Sequence, residues 1–196
     1  MGKVVNIVDI INRSSLKFGI TARKAFAFLA DLGFGEVESN PTLVRYRKED
    51  IEVDVYHGRQ SYEVGAGITA FGTRYSLGEI IRAINPEAAK QFRYVTAITP
   101  EVVETALEHL SVLMELYGSA ALRGDSQFIS VLEEQQKIWT EEYALDVLAE
   151  QLQPQADEAF RRKDYSTATM LYSRIRQCLS PAALVKLRFA EKHRKD

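Results

Sequence analysis

The sequence predicts an α+β chain, a three-stranded antiparallel meander covered by N-terminal helices and followed by an all-helical C-terminal half. Three observations carry this. Apolar residues recur at helical spacing up to Gly33, alternate with a period of two over residues 43–70, and return to helical spacing from Ser76 onward.

Val4, Val5, Val8 and Ile11 give the first helical pattern, and Ala25, Phe28, Leu29 and Leu32 give the second. Gly33 and Gly35 stop that second helix, because glycine accepts the left-handed conformation of a C-cap. After Asn40-Pro41 the period changes. Residues 43–48 form one strand, Ile51, Val53 and Val55 alternate with Glu52, Asp54 and Tyr56 in the next, and Tyr62, Val64, Ala66, Ile68 and Ala70 mark a longer third. The polar links 48–50 and 57–59 are of hairpin length. Ser76 and Glu79 have the spacing of a capping box, and Thr99-Pro100 places a capping hydroxyl before a first-turn proline. Val103, Ala106, Leu107, Leu110, Leu113, Met114 and Tyr117 make an apolar stripe that Gly118 should end. A helical region over 125–152 with a break near Thr140 follows, then helices over 156–173 and from Ser180-Pro181 onward. The expected division is an α/β domain over 1–98 and a helical region over 99–196 ending in a helical hairpin.

The 196 residues suffice for one domain or two small ones. A hydrophobic fraction of 46% with 27% charged residues is globular rather than disordered. Cys178 is the single cysteine, which excludes an intramolecular disulfide and any multi-cysteine metal site. No run approaches the roughly 18 apolar residues of a membrane helix. The apolar run after Lys3 is broken by Asp9, Asn12 and Arg13, and Asn6 stands where a myristoylation motif needs Ser or Thr. The expectation is therefore cytoplasmic, with no membrane partner.

The net charge of −2 conceals three blocks: +2 over residues 1–98, −11 over 99–158 and +7 over 159–196. Such asymmetry points to electrostatic partners. For the basic block, docking onto the acidic helices of the same chain is favoured over nucleic acid, given a pI of about 6.0.

Gly65, Gly67 and Gly72 lack the Gly-Lys-Ser/Thr ending of a phosphate-binding loop, and the first two fall inside a strand, where close packing or a bulge explains them. His57, His109 and His193 lack paired ligand spacing and read as surface histidines. Cys178, at helical spacing from Leu171 and Ile175, reads as a buried structural thiol. No catalytic residue, cofactor or metal is indicated. Glu52, Asp54 and Glu63 share the polar side of neighbouring strands with Arg45 and Arg47. They suit an acid/base pair, but cross-strand ion pairing on a solvated face is favoured. Tyr56 on that face suits a protein contact.

Ala156, Ala159, Tyr165, Ala168, Tyr172 and Ile175, followed by Ser180-Pro181, resemble one tetratricopeptide-type helical hairpin over 154–181. Ala159 and Lys163 depart from that pattern, where an aromatic residue and a glycine are usual, and a single repeat does not make a peptide-binding array. In layout the chain resembles small bacterial cytoplasmic proteins of the toxin-immunity type. That resemblance implies a non-enzymatic protein-binding role, with neutralisation of a basic toxin as its specific form. The residues expected to meet a partner are Glu52, Asp54, Tyr56, Glu63, Glu101, Glu104 and Glu108. Two alternatives stay open: an enzyme whose site assembles only on folding, and a self-associating scaffold subunit. The oligomeric state is not legible.

Overall fold

The computed structural model describes residues 13–194, so the helix expected from Val4 to Ile11 lies outside the described residues. The chain divides into two compact units between Glu133 and Glu134.

The first unit is built on a sheet. Strands β1 (Gly35–Asn40), β2 (Leu43–Lys48), β3 (Ile51–His57), β4 (Glu63–Ala70) and β5 (Thr73–Ser76) follow one another as an antiparallel meander. The two-residue β6 (Val95–Thr96) pairs with the start of β4. The α+β class and the three expected strands are present, and the sheet has three strands more. The additions carry little periodic signal. β1 is exposed at five positions and half-buried at its last, so no apolar alternation marks it, and β5 and β6 are too short to show a period.

Alternation sends Val44, Tyr46, Val53, Val55, Val64, Ala66, Ile68 and Tyr75 to one face, where they are buried. Helices α1 (Phe18–Ala25), α3 (Leu77–Ile84) and α5 (Pro100–Leu122) cover that face, with the short α2 (Phe28–Asp31) and α4 (Pro86–Gln91) at the margins. Phe18, Phe26 and Leu29 join the same core. Both ends expected from capping chemistry are formed. Ser76 accepts from the Glu79 amide while Glu79 accepts from the Ser76 amide at 2.7 Å, and Thr99 caps α5 ahead of Pro100.

The apolar stripe of α5 packs on the sheet. Val103, Ala106, Leu107, Leu110 and Met114 lie in one core with Val53 and Ile68, and Ser111 Oγ donates to the Ala25 carbonyl of α1 at 2.6 Å. The boundary expected at 98/99 therefore falls inside the first unit. Gly118 does not end this helix. It is buried within α5, where a side chain would press on Met114 and Ile68, and the helix ends four residues later ahead of Gly124, whose φ of 66° is left-handed.

Helix α6 (Ser126–Arg161) runs unbroken through Thr140 and Pro154, correcting the expected interruption. In the second unit its C-terminal part packs with α7 (Tyr165–Arg174) and α8 (Pro181–His193) around Ala156, Ala168, Tyr172, Ile175 and Leu187. The helix expected over 156–173 is two segments. A turn at Lys163 (φ 62°) separates them, and Asp164 caps α7 by accepting from the Thr167 amide at 3.1 Å. Asp157 on α6 accepts from the Tyr172 hydroxyl at 2.7 Å and pairs with Lys186 of α8. Burial works against its charge, but these two donors outweigh burial and hold its pKa below the usual aspartate value. The acidic end of α6 and the basic α8 thus meet within this unit, mostly through apolar side chains. Cys178 is half-buried beside this core rather than fully enclosed, a correction to its expected burial.

Candidate functional site

The structure separates the seven expected contact residues onto two surfaces of the first unit. Glu52, Asp54, Tyr56 and Glu63 lie on the open face of the sheet, and Glu101, Glu104 and Glu108 lie on the solvent side of α5.

On the sheet, register decides the pairing. Arg45 stands opposite Asp54, and Arg47 opposite Glu52. Arg47 Nε donates to Glu52 at 2.7 Å, and Arg45 reaches Glu52 at 3.6 Å and Glu38 of β1 at 2.8 Å. A bulge between Glu36 and Glu38 sends Glu36 to the other side, where Arg23 holds it at 2.7 and 2.9 Å and keeps its pKa low. Nearby, burial pushes the Tyr46 hydroxyl up to about 12.

Asp54 departs from the expectation of a solvated face, for it is buried. Its partner is Arg74 of β5, whose Nη2 lies 2.8 Å and Nε 3.2 Å from the same carboxylate oxygen. Burial opposes the charge on this guanidinium, but Asp54 outweighs it and its pKa is raised. Arg74 also lies over the Tyr56 ring at 5.5 Å.

The strand glycines are explained by this arrangement. Gly65 faces Tyr56 and Gly67 faces Asp54 in the register, and the missing side chains are the space in which Tyr56 and Arg74 lie flat. A methyl on Gly67 would stand 2.8 Å from both Arg74 Nη2 and the Tyr75 carbonyl oxygen. The three atoms nearest to a methyl on Gly65 all belong to the Tyr56 side chain. Gly67→Ala is therefore expected to cost about 2 kcal/mol and Gly65→Ala about half of that, because a ring can swing and a backbone carbonyl cannot. Urea unfolding of the two variants checks this, and equal costs would contradict it.

These carboxylates do not converge. Glu52 and Asp54 are each taken up by arginines, and Glu63 stands four residues along β4 from the residue opposite Asp54, about 13 Å away. The alternative of an acid/base pair on this face gains no geometry from the fold.

On α5, Glu101, Glu104 and Glu108 are exposed. Lys24 of α1 pairs with Glu104 at 3.0 Å. Glu101 lies in the first turn, where its own backbone amide and the Thr99 hydroxyl lower its pKa. Beside these carboxylates runs a feature the sequence reading missed. Val102, Val112 and Leu116 are 37%, 61% and 65% exposed, at spacings that keep them with His109 on one side of the helix, and Glu115 continues the acidic rim. The signal was available, since Val112 and Leu116 fall outside the stripe that the core needs.

His57 was expected at the surface and is 1% exposed. Arg13 Nη1 donates to its Nδ1 at 3.0 Å, and its Nε2 faces the Ala97 carbonyl oxygen at 2.8 Å. A guanidinium can only donate and a carbonyl only accept, so the ring is neutral with its proton on Nε2. Burial, and after it Arg13, hold its pKa below the usual histidine value. His109 and His193 are exposed, as expected.

Among the described residues no group of His, Cys, Asp and Glu is arranged to hold a metal ion, and no helix is long and apolar enough to cross a membrane. Compared with known proteins, the chain matches no family model, no curated protein and no solved structure.

Proposed function

We propose that the chain acts by binding another protein, and that its partner is basic and docks on the outer face of α5. What carries the reading is one observation. Val102, Val112 and Leu116 are exposed on a helix whose other apolar residues are buried or half-buried, and Glu101, Glu104, Glu108 and Glu115 form a row along one side of them. An apolar centre supplies affinity once water is excluded, and a rim of one charge steers and selects a partner of the other. The −11 block over 99–158 adds a long-range field of the same sign. The open sheet face, with Tyr56 beside paired arginines and carboxylates, is a second and more polar contact surface. In its specific form the proposal is neutralisation of a basic toxin, which agrees with the resemblance in layout to immunity proteins.

Affinity purification from native cells at about 50 mM salt should recover a stoichiometric basic protein that is released near 0.5 M salt, where charges are screened within about 4 Å. Val112→Asp/Leu116→Asp should lose it while keeping the wild-type circular dichroism. If the partner is a toxin, its expression alone arrests growth and co-expression of this chain relieves the arrest. Recovery of the chain alone, or undiminished capture by the double variant, would sink the proposal.

A further inference from the structure

The second unit carries a surface of the opposite kind. On α8, Val185 and Phe189 are 62% and 44% exposed and His193 continues their line at the next helical turn. The Phe189 ring is held in place, stacked on His193 at 4.0 Å and set edge-on to Tyr165 and Phe160 at 5.6 and 5.8 Å. Exposed Arg188 and Lys192 run along one side of the stripe and Arg194 follows its end, all within the +7 block. Two large apolar side chains one turn apart beside a basic row thus match the pair Val112 and Leu116, also one turn apart, beside an acidic row.

We propose that the α8 face of one copy docks on the α5 face of a second copy, so that the chain associates head to tail. The proposal rests on the reading of α5 as a docking surface and adds an occupant for it. Charge selects that occupant. An antiparallel packing of α5 on α5 would set two carboxylate rows together, the same packing of α8 on α8 would set two cationic rows together, and no symmetric packing of either face pairs unlike charges, so a symmetric dimer through either face is disfavoured. The contact between unlike faces removes that repulsion and buries both stripes. It is heterologous, so each added copy leaves one face of each kind free and growth continues with concentration unless a ring closes. A foreign basic protein on α5 would then compete with the second copy and shorten the assemblies.

Charge exchange tests this with the whole chain. In sedimentation velocity at about 50 mM salt the wild type should gain mass over about a hundredfold rise in concentration and return to monomer near 0.5 M salt. Glu104→Lys/Glu108→Lys takes the four-carboxylate row of α5 from −4 to 0, and Arg188→Glu/Lys192→Glu takes the three cations of α8 from +3 to −1, so each variant alone loses the charge match and should associate at least about tenfold more weakly. An equimolar mixture of the two should associate again, because the unchanged α8 face of the first meets the unchanged α5 face of the second. This rescue shows at the same time that the variants are folded. A wild type that stays monomeric at every concentration, or a mixture that does not associate, overturns the proposal. Concentration-independent compaction at low salt also overturns it, because it marks docking within one chain.

The two readings fail separately. Loss of the foreign partner by Glu104→Lys/Glu108→Lys alongside a strictly monomeric wild type overturns self-docking and supports the proposed function. Association rescued by mixing, with foreign capture undiminished in Glu104→Lys/Glu108→Lys, supports self-docking and overturns the basic-partner reading.

Discussion

Arg74→Ala is expected to lower the free energy of unfolding by about 3 kcal/mol, the low end of what is lost when one member of a buried pair is removed. The size follows from the asymmetry of the pair. The Asp54 side chain is 9% exposed and the Arg74 side chain 45%, so the cation is screened by solvent while the carboxylate depends on it. Removing Arg74 leaves Asp54 on the central strand β3 between Gly67, which offers no side chain, and Arg45, whose guanidinium is already held by Glu38 and Glu52. Removing Asp54 as well takes away the stranded charge, so Arg74→Ala/Asp54→Ala is expected to be more stable than Arg74→Ala. Arg74→Lys should fall between, since an ammonium restores the charge but not the two-nitrogen grip. Urea unfolding of the three variants reads the cycle. An Arg74→Ala variant within about 0.5 kcal/mol of wild type would mean that Asp54 is solvated without its partner.

This pair also marks where sequence reasoning runs out. Asp54 alternates with Val53 and Val55, so its face of the sheet was legible, and so were Arg45 and Arg47 as cross-strand neighbours. Its actual partner lies 20 residues further on, in a four-residue strand with no periodic pattern, and only the register of β3, β4 and β5 brings the two together. The same limit governs the division of the chain. The stripe from Val103 to Met114 was legible as one buried face, but periodicity does not say what buries it. Because that partner is the sheet, the core extends past the change in charge at residue 99, and the break comes inside α6. The helix ends were the most legible features, because Ser76, Glu79, Thr99 and Pro100 act on amides within their own first turn. On α5 the acidic residues were legible as an exposed face, whereas Val112 and Leu116 were concealed by their resemblance to core residues on the same helix. Their exposure is a tertiary fact.

His57 carries the second large effect. Truncation to alanine is expected to cost about 3 kcal/mol at neutral pH, because it removes a buried ring and takes the donor from the Ala97 carbonyl and one acceptor from Arg13. The ring stacks against Phe18 at 5.9 Å and meets Tyr62 edge-on, and it is the acceptor for Arg13 and the donor to Ala97. Arg13 also donates to the Gly58 carbonyl at 3.0 Å and to the Arg59 carbonyl, and it lies 4.5 Å over the Tyr62 ring. It therefore ties the start of the described chain to the turn between β3 and β4. Protonating His57 replaces the acceptor at Nδ1 with a second donor beside that guanidinium. The folded pKa lies below the unfolded one, so the unfolded chain takes up the proton first as pH falls. The stabilisation is complete above about pH 6.5 and declines below it by at most about 1.4 kcal/mol per pH unit, until the folded value is reached. Asp157 and Glu36, whose pKa values are lowered, lose their contribution only further down, as pH falls below the usual carboxylate range near 4. Between about pH 6.5 and 5 the slope thus belongs chiefly to His57, and His57→Ala should flatten it, so that the two proteins converge in stability on acidification. Equilibrium unfolding at half-unit pH steps measures both curves. Parallel curves over that window would show that His57 is not the titrating group and that the Arg13 contact survives its protonation.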